Sequence, residues 1–174
     1  MKTRLTYCAT VLLLTALSAA SVRAQIKSHA VGEEAAVLAA LDNYMLAISA
    51  NDLRAMEEIQ LVDGMTYRAR ANGDDFWEVA GRPNSYWIAP SMDDGRTYRE
   101  RYWSPVVHVR GPIAVVWAPY EFWVDGKTSH CGIDVMDFIK TDGVWHVSNS
   151  MWTVEPDACE ELRPADPSMI RPRN

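Results

Sequence analysis

Residues 113–154 read IAVVWAPYEFWVDGKTSHCGIDVMDFIKTDGVWHVSNSMWTV. Three runs rich in β-branched and aromatic residues, Ile113 to Val124, Thr128 to Lys140 and Val144 to Val154, are divided by Asp125-Gly126 and Asp142-Gly143, dipeptides that favour two-residue type I′ hairpin turns. A fourth run, Tyr98 to Arg110, joins the first through Gly111-Pro112. The expected result is an antiparallel meander.

Upstream, the apolar residues Ala36, Val37, Leu41, Tyr44, Leu46 and Ile48 recur at close to helical spacing between Glu33 and Ala50, with two glutamates at the N-terminal end of the dipole. Asn51-Asp52 breaks this amphipathic helix and caps a second, shorter one from Leu53 to Ile59. Met65 to Ala71 alternates weakly as a strand and ends where Asn72-Gly73-Asp74-Asp75 supplies turn chemistry. Asn84 to Ile88 suits a short helical turn, and Met92 to Gly95 is polar and expected to be exposed. Helices followed by a meander make an α+β arrangement, in which the helices must cover one face of the sheet.

The first 24 residues have the layout of a secretory leader: Lys2 and Arg4, an apolar stretch from Ala9 to Leu17, then small residues up to Ala24. That stretch is shorter than the roughly 20 apolar residues a bilayer core needs, so a secreted or periplasmic chain beginning near Gln25 is expected, with no membrane span after cleavage. Residues 25–32 are then a lead-in, 33–157 one domain and 158–174 a loose tail rich in proline and charge. The formal net charge is −6, and the leader carries three of the positive charges, Lys2, Arg4 and Arg23. So acidic a chain makes nucleic acid an improbable partner. Cys131 and Cys159 survive cleavage and are a candidate disulfide in an oxidising compartment, the alternative being two reduced thiols.

Three stretches resemble the SnoaL-like, polyketide-cyclase-related branch of the nuclear transport factor 2-like superfamily. They are Leu41-Asp42-Asn43-Tyr44 with Asn51-Asp52, the run from Arg110 to Tyr120, and Ser129-His130-Cys131-Gly132-Ile133-Asp134 continuing into Thr141-Asp142-Gly143-Val144-Trp145. The resemblance implies a cone with a pocket between the helices and the concave face of the sheet, often in a homodimer that pairs sheets. It implies no single chemistry, because the superfamily spans isomerases, dehydratases, hydrolases, cyclases and members without catalysis.

If the hairpin turns alone set the register, Val124 opposes Lys127 and Thr141 opposes Val144. Counting back places His130 opposite Glu121 and Glu155, Asp134 opposite Trp117 and Met151, Met136 opposite Asn149 and Phe138 opposite Val147, all on one face. Both faces are apolar, and hydrophobicity does not choose between them. The resemblance does, because the Trp of such Asp-Gly-x-Trp stretches faces the helices. His130, Asp134, Asn149, Glu121, Trp117 and Met151 are then expected to line the pocket, with Tyr44 and Trp103 beside them. Ile133, Val135 and Trp152 would face a second copy of the chain.

Within such a pocket Asp134 would lose hydration and keep its proton more tightly, making it a candidate general acid or base. His130 oriented by Glu121 would be a proton shuttle, and Asn149 a donor to a developing oxyanion. The four histidines, His29, His108, His130 and His146, lack ligand spacing, so no metal is expected. Glycine loops that cradle phosphates are also absent from the sequence, so no cofactor is expected. Three readings follow: a binder of a small apolar molecule, a cofactor-independent isomerase, cyclase or dehydratase using Asp134 and His130, and a dimeric interaction module with a vestigial pocket.

Overall fold

A computed structural model describes residues 31–73 and 76–173. The expected leader, most of the lead-in, and Asp74-Asp75 of the expected turn lie outside the described residues. The account below concerns the compact unit of residues 36–174.

Helix α1 is already formed at residue 31 and ends at residue 50. Asn51 adopts a positive φ of 50°, and the Asp52 side chain accepts from Ala55 N at 3.0 Å, capping α2 (Leu53–Ile59). The strands are β1 (Met65–Ala71), β2 (Trp77–Pro83), β3 (Tyr98–Tyr102), β4 (Val106–Arg110), β5 (Ile113–Val124), β6 (Lys127–Thr141) and β7 (Val144–Val154). A short α3 (Asn84–Trp87) follows β2, and α4 (Cys159–Leu162) follows β7. Among the described residues, no helix is long and apolar enough to cross a membrane.

The sheet runs β2-β1-β7-β6-β5-β3, with β4 pairing β5 beside β3. Asp125, Gly126, Asp142 and Gly143 all have positive φ, as type I′ hairpins require. Two features correct the expected meander. The run Tyr98 to Arg110 breaks into β3 and β4 at Trp103–Pro105, where Ser104 has a φ of 45°. The sheet is also mixed, because β1 pairs β7 in parallel. β2 was not expected at all: Trp77–Pro83 holds a glycine and a proline, and pairing only β1 at the sheet end tolerates both.

The core forms where α1 lies on one face of the curved sheet. Val37, Leu41, Tyr44 and Met45 meet Val116 and Tyr120 of β5, Met136 and Phe138 of β6, and Trp145 and Val147 of β7. Each fully buried side chain of this size contributes about 1.5–3 kcal/mol relative to exposure.

Both long hairpins depart from simple counting. Val124 does oppose Lys127 and Thr141 opposes Val144, but a bulge between Phe122 and Trp123 moves His130 opposite Phe122. A second bulge, beside Asp137 and Phe138, leaves Ser148 unopposed and moves Asp134 opposite Trp152 and Met136 opposite Ser150. Phe138 remains opposite Val147. One extra residue reverses the faces of everything beyond it.

The second bulge has a visible support. Asn84 is 1% exposed and its Nδ2 donates to Leu61 O at 2.8 Å and Ser148 O at 3.1 Å, while its Oδ1 accepts from Thr66 Oγ1 at 2.9 Å. Gly64 threads this knot, since a Cβ there would stand 1.7 Å from Ser148 O. Only glycine lets the chain pass so close to another backbone.

The segment expected to be a loose tail is fastened instead. Cys159 is bonded to Cys131, and the Arg163 guanidinium pairs with Glu121, its Nε donating to Oε2 at 2.9 Å. Arg171 exchanges backbone hydrogen bonds with Tyr102 at 2.8 and 2.9 Å, and its Nε donates to Asp42 Oδ1 at 3.2 Å. These contacts are long-range and leave no periodic signature.

Candidate functional site

The inner face of the sheet and the helices enclose a cavity of about 390 Å³. Its wall is made by alternate residues: Arg68 and Arg70 of β1, Tyr98 and Glu100 of β3, Tyr120 and Phe122 of β5, His130, Asp134 and Met136 of β6, and Ser150, Trp152 and Val154 of β7. Tyr44, Ile48, Leu53 and Met56 from α1 and α2 close one side, and Trp87 and Met92 another. The volume falls at the small end of the usual ligand-site range of about 300–1,000 Å³.

Of the expected site residues, Tyr44, His130 and Asp134 line this cavity. Trp117 and Met151 are 53% and 47% exposed on the opposite face, where the two bulges put them. Asn149 is turned to β1, its Oδ1 accepting from Met65 N at 3.0 Å. Glu121 is buried beneath the C-terminal segment, bonded to Arg163 and to Thr128 Oγ1 at 2.6 Å. Trp103 is 2% exposed and donates from Nε1 to Leu162 O at 2.7 Å, away from the cavity. Trp152, expected to face outward, lines the cavity and meets Trp87 edge-on with centroids 5.4 Å apart.

The residue missing from the sequence reading is Glu100. It sits 7% exposed, and its carboxyl is hydrogen-bonded to that of Asp134, itself 2% exposed. Burial pushes Glu100 up to about 7. Burial, then the charge of Glu100 and the hydrogen bond to it, holds Asp134 well above the carboxylate range. Two carboxyls in one dry site do not readily both ionise, so the pair holds a proton more tightly than ordinary carboxyls do. Signal for Glu100 did exist: in Tyr98-Arg99-Glu100-Arg101-Tyr102 it shares one face with two tyrosines.

Neither nearby phenol serves this pair. Tyr44 donates to Gln60 Oε1 at 2.9 Å and Tyr120 to Thr153 O at 2.7 Å, and burial raises both. His130 is no shuttle beside a carboxylate, as had been expected. Burial, helped by the charges of Arg70 and then Arg68, pushes it down to about 4, so its ring is neutral at pH 7. It lies 5.4 Å from Phe122 and edge-on to Tyr120 at 5.7 Å, with Nδ1 3.0 Å from Ser129 Oγ. Here the imidazole is part of an aromatic wall.

Three buried polar atoms among the described residues have no hydrogen-bond partner: Arg68 Nε, Trp87 Nε1 and Asp134 Oδ2. All three belong to residues of this cavity wall. A buried polar atom left unpaired costs about 1–3 kcal/mol, so the wall of this cavity carries uncompensated polar groups just beneath its surface. The nearest grouping with metal-ligand atoms, Glu121 with Cys131 and Cys159, has both sulfurs committed to the disulfide.

No family model matches the chain, and no curated protein matches it in sequence. Solved structures do match its fold. One is a protein of Novosphingobium aromaticivorans assigned as the β subunit of an aromatic-ring-hydroxylating dioxygenase, at a TM-score of 0.58 and 13% identity, covering 71% of this chain and 89% of that one. A nuclear transport factor 2-like protein of Cytophaga hutchinsonii matches at 0.55 and 16% identity, covering 68% and 94%. A protein of Streptomyces avermitilis assigned as a dehydratase of the same family matches at 0.56 and 14%, covering 71% and 96%. The fold is thus nuclear transport factor 2-like, and at these identities the chemistry must be argued from the site's own residues.

Proposed function

We propose that the chain is an exported pocket protein that binds a small, largely apolar molecule against Trp152, Phe122 and Met136. The observation that carries this reading is a mostly apolar cavity whose wall also holds a few charged and carboxyl side chains, Arg68, Arg70, Glu100 and Asp134. Export is supported by the leader-like first residues and by the disulfide, a bond that persists in oxidising compartments. The outer face, with Trp117 and Met151 exposed, is the surface on which two copies would pair.

The neutral fluorophore N-phenyl-1-naphthylamine tests the binding reading. Saturable emission at one site per chain is expected, and Ile48→Trp, which fills the cavity from α1, is expected to weaken it at least ten-fold with the circular dichroism unchanged. Equal binding by the filled variant would show that the dye sits elsewhere and would defeat the reading.

A second reading is favoured by Glu100. Two buried carboxyls that hold a proton between them, both raised by burial, are the pairing that proton transfer on a bound carbonyl compound requires. In it one carboxyl of the pair donates to the substrate oxygen and the other moves the proton. This assignment replaces His130 by Glu100 as the partner of Asp134.

A further inference from the structure

We propose that the ligand is an apolar carboxylate, an aryl or alicyclic acid of one or two rings, whose anionic end is held by Arg68 and Arg70. This rests on the binding reading above and adds the ligand's charge and polarity.

The argument begins with register. Asp134 pairs with Trp152 on the adjacent strand, and Trp152 pairs with Arg68 on the next. The three side chains therefore stand in one row across the concave face, with Trp152 as the floor between an acid and a cation. Strand spacings of about 4.8 Å put the ends of that row roughly 10 Å apart at the backbone, a span that suits one or two fused rings. Arg70, two residues along β1 and opposite Val154, brings a second guanidinium to the same end.

Next comes charge. Among the described residues neither arginine has an ion-pair partner; Glu78, opposite Arg70 in the register, is exposed and makes no ion pair with it. The third arginine of the wall, Arg96, is already paired with Asp94. A guanidinium cannot shed its proton, so Arg68 and Arg70 bring two positive charges to the cavity wall. Two cations lining an apolar cavity match a carboxylate, which accepts several hydrogen bonds and whose charge strengthens each. The opposite end is unsuited to an anion, because Glu100 already shares its charge with Asp134 there.

The test compares 2-naphthoate with methyl 2-naphthoate by titration calorimetry at pH 7.5, on the full mature chain and on Arg68→Gln and Arg70→Gln. The carboxylate is expected to bind wild type at least ten-fold more tightly than the ester, with Arg68→Gln removing that preference and leaving ester binding within two-fold. Equal affinities for acid and ester in wild type, or an unchanged preference in both variants, would overturn the carboxylate assignment while leaving the apolar pocket in place. Failure of both compounds to bind would overturn the pocket reading and this one together.

Discussion

Glu100→Gln is expected to gain stability over the wild type as pH rises, by on the order of 2 kcal/mol between pH 5 and pH 8. In the folded chain burial raises the Glu100 carboxyl from 4.5 to about 7. A raised carboxyl holds more protons when folded than when unfolded, so its stabilising contribution is complete below 4.5 and is lost as pH rises through about 7. Glutamine carries no such loss, and removing the charge also relieves Asp134 in the same direction. His130, lowered from 6.5 to about 4, titrates with the opposite sign, but it is common to both proteins and cancels in the difference. Urea unfolding of the pair at several pH values checks this. A stability difference that does not change with pH would mean that the two carboxyls are not held together in a dry site.

Breaking the bond between Cys131 and Cys159 is expected to cost about 3 to 4 kcal/mol in the chain-entropy model, for a loop closing a sequence separation of 28. Cys131 is fully buried in β6, one residue from His130, so the bond ties α4 to the back of the strand that carries Asp134. The neighbouring pair of Arg163 with Glu121 compensates little, because its guanidinium is largely solvated. The variant carrying both Cys131→Ala and Cys159→Ala, unfolded in urea beside the oxidised wild type, measures the effect. A difference below about 1 kcal/mol would show that the fold closes this segment without the bond.

The hairpins, α1 and the capping Asp52 were legible in the sequence because each is decided locally, by Asp-Gly turns, helical spacing or one side chain reaching its own backbone. The inward direction of β6 was legible too. Its partners were not, because counting from a turn is valid only to the first bulge, and the bulge at Ser148 is held by Asn84, 64 residues away in the chain. This is why Asp134 was placed in the wall while Trp117, Met151 and Asn149 were wrongly placed beside it. Glu121 was misassigned for a related reason, since its true partner Arg163 lies in a segment that composition alone marks as loose. Arg68 and Arg70 were invisible as site residues because arginines in a weakly alternating strand usually face water.

The most direct test of the cavity itself uses the methionines as reporters. Met56, Met92 and Met136 line it, whereas Met151 and Met169 are exposed elsewhere. With methyl-labelled methionine and N-phenyl-1-naphthylamine added to saturation, ring currents are expected to shift the methyl resonances of Met56, Met92 and Met136 and to leave those of Met151 and Met169 in place. Shifts confined to Met151, on the outer face of the sheet, would contradict a binding site between the helices and the concave face.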